Sequence, residues 1–145
     1  MKQQTLREKL RERIPSEAEF IALFPELIYT NKVSKQRALV KYLLVEFAIH
    51  NQTAFPADYD DLTIEHIAPQ SIIDDVDWTH ETVGQLGNLL LITTEINSKL
   101  RDKDFKTKKQ VLKTAGYTLP EDIQDAKEWA PMHSLKLCTA LCCKL

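Results

Sequence analysis

Four residues between Leu62 and Lys109 could do chemistry together: Glu65 and His66 side by side, then Asn88, then Asn97. One acid, one histidine and two amides suffice to hold a hard cation and to activate a water. An imidazole with an ordinary pKa of about 6.5 can take a proton from water near neutral pH. A carboxylate and an amide oxygen are hard donors, and Mg²⁺ usually takes one or two carboxylates and keeps several waters. Hydrolysis of a phosphodiester needs both parts, a base for the attacking water and positive charge for the developing phosphorane.

Three short elements must position this set. Leu62-Thr63-Ile64-Glu65-His66-Ile67-Ala68-Pro69-Gln70 and Leu86-Gly87-Asn88-Leu89-Leu90-Leu91-Ile92 are apolar runs predicted as strands. After them the period changes. Thr94 is expected as an N-cap, and Ile96 and Leu100 lie four apart on one helix face. Neighbouring residues of an ideal strand face opposite sides, so Glu65 and His66 can share one ion only through a distortion, for which Pro69 offers a place. On the helix, Asn97 and Arg101 share a face, whereas Lys99 points about 200° away.

The blocks "TIEHIAPQ", "LGNLLLIT" and "INSKLRDKDFKTKK" occur in that order. Together they resemble the HNH, or His-Me finger, nuclease motif, and more narrowly the C-terminal nuclease domain of GmrSD-type modification-dependent restriction proteins. The resemblance implies a metal-dependent DNA endonuclease with His66 as general base and Glu65 and Asn97 as metal ligands. Asn88 would brace the hairpin that carries the base. It also implies a divalent cofactor, Mg²⁺ with Mn²⁺ as a substitute, and DNA as substrate. A nucleotide-hydrolysing or DNA-sensing domain is expected as a separate partner, since no phosphate-binding Gly-rich loop occurs among Gly84, Gly87 and Gly116. An inactive nucleic-acid-binding or protein-interaction module of HNH-like fold is the competing reading.

Charge distribution supports a nucleic-acid partner locally, although the net charge is −2. Seven basic residues lie from Lys99 to Lys113, against Asp102 and Asp104. Beside a metal site such a run reads as a phosphate-contacting surface, with Lys99, Arg101, Lys106 and Lys109 as its candidates. No base-reading motif accompanies it, so binding is expected to be salt-sensitive and indifferent to sequence.

The flanks read as helical scaffolding, giving a mainly α (α+β) domain around a small ββα centre. Residues 1–61 form the N-terminal scaffold, 62–115 the nuclease core and 116–145 a helical tail. Leu6, Leu10 and Ile14 repeat every four residues, and Ser16 with Glu19 forms a capping box. Ser34 is expected to cap a long helix that buries Ala38, Tyr42, Val45 and Ile49, widened by Leu39, Leu43, Leu44 and Phe47. Residues 51–61 read as a loop, Asp104 as the cap of a helix through Lys113, and Glu121 to Trp129 as another helix. His50 and His80 read as structural histidines. His133 with Cys138, Cys142 and Cys143 lacks paired Cys-x-x-Cys spacing, so reduced thiols are expected rather than zinc.

Bulk properties agree with one globular domain. The chain has 145 residues, 43% hydrophobic and 28% charged. No apolar run approaches the roughly 18 residues of a membrane span. Met1 to Glu8 carries no apolar leader, and a cytoplasmic location is expected.

Overall fold

The computed structural model describes residues 6–50, 61–75 and 77–144. The packing expected of Leu6 and Leu10, and the expected loop over 51–60, lie outside the described residues. Helices dominate: α1 (Leu6–Arg11), α2 (Glu17–Leu23), α3 (Arg37–His50), α4 (His80–Gly84), α5 (Thr94–Leu100), α6 (Phe105–Thr114), α7 (Glu121–Asp125) and α8 (Pro131–Cys142). The sheet has two antiparallel strands, β1 (Leu62–His66) and β2 (Leu89–Thr93), with Leu62 opposite Thr93 and His66 opposite Leu89. The fold is mainly α with this small sheet at its centre.

Local chemistry explains most of the boundaries. In α2 the Ser16 hydroxyl accepts from Glu19 N, and the Glu19 carboxylate accepts from Ser16 N at 2.8 Å, closing the capping box. Asp104 caps α6 through Thr107 N at 3.0 Å. Gly116, at φ +84°, ends that helix while Tyr117 N bonds back to Leu112 O. The cap of α5 is Thr93 rather than Thr94, one residue earlier than expected.

Three expectations need correction. The second strand begins at Leu89, because Leu86–Asn88 form a single 3-10 turn. The helix expected from Glu121 to Trp129 stops at Asp125. The buried face of α3 is Val40, Leu43, Leu44, Phe47 and Ala48, while Leu39, Tyr42 and Ile49 are exposed. Those buried positions follow i, i+3, i+4, i+7 and i+8, a single stripe. The helix is apolar nearly all round, so its sequence does not choose the stripe; packing against β2 does.

One apolar core joins all three parts of the chain, from Phe24 through the strands to Leu141 and Cys142. Helix α8 lies against the turn before β2. A Cβ on Gly87 would stand 1.9 Å from Ser134 O and 2.8 Å from Cys138 N, so only glycine lets these backbones approach. No helix among the described residues is long and apolar enough to cross a membrane.

Candidate active site

Strand β1 ends in the two residues singled out above, and both border one open cleft of about 200 Å³. Its other lining residues are Asn31, Pro69, Gln70, Ser71, Arg101, Asp102 and Lys108. Glu65 is met by Lys108 from α6, and His66 by Tyr29 from the N-terminal segment. The cleft lies where the strand ends, and both residues line it.

His66 is 5% exposed and stacks on the Tyr29 ring. Its Nε2 lies 2.8 Å from the Tyr29 carbonyl oxygen. A carbonyl only accepts, so Nε2 carries the proton and Nδ1 keeps the lone pair. Gln70 Nε2 stands 3.5 Å from Nδ1, at the edge of hydrogen-bonding range. Burial pushes the imidazole pKa below its usual value, outweighing the Tyr29 bond. The ring is therefore neutral at neutral pH, with its basic atom beside Gln70.

Lys108 is the residue that the sequence reading missed. It is 2% exposed, pairs with Glu65 Oε1, and donates to the His66 carbonyl at 2.7 Å. Burial raises the Glu65 pKa, and the ammonium of Lys108 opposes that rise. The signal was present: Lys108 falls between Phe105 and Leu112, on the apolar face of α6, where a solvated lysine has no place. Tyr29, Asn31 and Gln70 were likewise assigned only to scaffold and strand. Asn31 N donates to Gln70 Oε1 at 2.7 Å, which turns the Gln70 amide nitrogen toward the base.

Asn88 has no exposure, and both ends of its amide are used. Its oxygen accepts from Ala68 N at 2.8 Å and Trp129 Nε1 at 3.0 Å. Its nitrogen donates to Ala68 O at 3.1 Å and Val83 O at 2.7 Å. It is a brace between the chain leaving β1, α4 and the segment before α8, and it does not border the cleft. Asn97 is half-buried on α5, one turn before Arg101, and does not border the cleft either.

The basic candidates are dispersed. Lys99 pairs with Glu95 at 2.6 Å on the surface. Lys109 donates to Gln124 O and Ala126 O at the end of α7 and covers the Phe105 ring. Lys106 borders a second groove with Lys113 and Lys127. Arg101 alone of the four borders the cleft.

Among the described residues no three His, Cys, Asp or Glu side chains cluster as a ready-made metal cage. The three cysteines are free, Cys138 and Cys142 buried and Cys143 exposed. His133 Nδ1 accepts from Ala130 N at the start of α8. The cleft does offer hard oxygen donors in Glu65 and Asp102, which suits a partly hydrated Mg²⁺ or Mn²⁺ better than a fully caged ion.

Neither the curated proteins nor the solved structures contain a match to this chain. The family model described as GmrSD restriction endonucleases, C-terminal domain, matches residues 14–134, a span that begins before α2 and ends inside α8. That span takes in β1, β2, the cleft and the Asn88 brace, and it points to a nuclease: the chain belongs to the family of GmrSD restriction endonuclease C-terminal domains.

Proposed function

We propose that this domain is an HNH-type endonuclease that hydrolyses phosphodiester bonds of DNA with a divalent cation, Mg²⁺ or Mn²⁺, within a modification-dependent restriction system. The observation that carries the reading is the placement of His66: its Nε2 lies 2.8 Å from Tyr29 O, which leaves Nδ1 as the basic atom, and the residue borders the cleft together with Glu65. So placed, Nδ1 takes the proton of an attacking water. Glu65 and Asp102, which border the cleft, would hold the cation there, and Asn97, proposed with Glu65 as a ligand, would have to reach it from outside the cleft lining. When bound, the cation supplies positive charge for the phosphoryl oxygens.

The chain's own residues do the rest. Lys108 fixes the Glu65 carboxylate and the His66 carbonyl to one ammonium, so acid and base keep their relative placement. Asn88 holds Ala68 by both its N–H and its carbonyl, which sets the direction in which the chain leaves β1. Lys106 and Lys109 are proposed to add phosphate contacts outside the cleft, with Lys99. DNA is the proposed partner, with a separate sensor domain supplying recognition of modification.

Plasmid nicking with Mg²⁺ or Mn²⁺ tests this. His66→Ala is expected to lower cleavage by about 100- to 10,000-fold while DNA binding persists. Wild-type-like cleavage by that variant removes His66 from the mechanism, and full activity in EDTA removes the cation. One observation favours the inactive binding module instead: the charge of Glu65 is already balanced by Lys108. DNA binding without nicking under any divalent ion would establish that alternative.

A further inference from the structure

Arg101 sits where backbone chemistry calls for glycine. Its φ of 40° and ψ of −129° fall in the region of the first central residue of a type II′ turn. The four-residue turn from Leu100 is closed by Lys103 N donating to Leu100 O at 3.0 Å. That position demands a positive φ, which a Cβ opposes. Asp74 is the other non-glycine residue with positive φ among those described, and a short Asp tolerates it far better than an Arg does. The strained turn follows directly on α5, whose last helical bond is Arg101 N to Asn97 O at 3.2 Å, and one contact comes from elsewhere in the chain, Ser71 Oγ donating to the carboxylate of Asp102 at 3.3 Å. A costly backbone state at a residue bordering a cleft is a common setting of a functional side chain.

The side chain is also uncommitted. Of the nearby cations, Lys99 is used by Glu95, Lys108 by Glu65 and Lys109 by backbone carbonyls, while Lys103 and Lys106 do not border the cleft. Among the described residues no acceptor meets the Arg101 guanidinium, and the residue is exposed on the cleft that holds His66. We infer that Arg101 binds the phosphate of the strand being cut, and that the strained turn is kept because glycine there would remove the guanidinium. This rests on the nuclease reading above. A planar guanidinium can take two phosphate oxygens at once, which an ammonium cannot.

Arg101→Gly separates strain from binding, because it relaxes the turn and deletes the cation. Arg101→Ala deletes the cation and keeps the Cβ. Lys9→Ala on α1 removes the same charge far from the cleft in sequence. Thermal unfolding and anisotropy with a short labelled DNA duplex in EDTA are measured for each. The glycine variant is expected to unfold about 2–5 °C above wild type. Both Arg101 variants are expected to bind about 10- to 100-fold more weakly, and Arg101→Ala gains no stability. Lys9→Ala should bind within about twofold of wild type. Wild-type affinity in Arg101→Gly overturns the binding role, and a lower unfolding temperature overturns the strain. A wild-type chain that binds no DNA removes the nuclease reading itself, and this inference with it.

Discussion

Replacing Lys108 by methionine tests whether one buried charge organises the site. The Lys108 and Glu65 side chains are 3% and 9% exposed at the edge of the cleft, so removing one partner leaves the other with little access to water. Lys108→Met keeps the length and apolar packing of the stem but leaves Glu65 buried without its counter-charge. Breaking a buried pair in this way costs about 3–5 kcal/mol. The His66 carbonyl also loses its donor, adding about 1 kcal/mol. Against a total stability of about 5–15 kcal/mol, the variant is expected to be severely destabilised. The double variant Glu65→Leu/Lys108→Met removes both charges and should recover most of the loss, since apolar replacement of a buried pair is often neutral or better. Urea unfolding at pH 7, read as the midpoint at unchanged slope, measures all three legs of the cycle. A single-variant cost below about 1 kcal/mol, or a double variant as unstable as the sum of its parts, refutes the argument. The restored double variant should still not cleave, because the carboxylate is gone.

Other outcomes follow from the same geometry. Gly87→Ala should prevent proper seating of α8 and cost several times more than Gly116→Ala, which meets open space and suffers only its φ of +84°; paired urea titrations check this. Burial lifts the Cys138 thiol to about 11, so iodoacetamide at pH 8 should label exposed Cys143 well before Cys138, and mass spectrometry of the peptides reads the order. For His66 the folded pKa lies below the unfolded one, so below about pH 6.5 the unfolded chain takes up the proton first and stability falls until the folded imidazole also titrates. Urea midpoints from pH 7.5 down to pH 5 should therefore drop less in His66→Gln than in wild type.

How much was legible depended on whether a residue's neighbours in sequence were also its neighbours in space. Glu65 and His66 could be picked out because strand, proline and acid–base pair fall within one short run. The caps at Ser16 and Asp104 are equally local, and both form as expected. Lys108 failed for a different reason. Its run of lysines looks like a solvated surface; its place on the apolar face of α6 marks it as buried, but the partner that balances its charge lies 43 residues away. Tyr29 contributes a backbone carbonyl, which no side-chain motif can announce. Lys109, a proposed phosphate contact, also donates to the end of α7 across 15 residues, a tie that its run of lysines does not announce. The phase of α3 failed because apolar residues on every side leave the choice to the partner surface.

The bond between Asn88 and Trp129 spans 41 residues and has a consequence in time. Protein synthesis proceeds at about 5–20 residues per second, so the hairpin with Glu65 and His66 exists for roughly 2–8 s before Trp129 is made. Through that interval Asn88 lacks one of its partners, and Gly87 lacks the helix that it was shaped to receive. A growing chain thus carries Glu65 and His66 well before it carries the residues that complete the Asn88 brace. The network around Asn88 is therefore completed only once the chain has been made past α7.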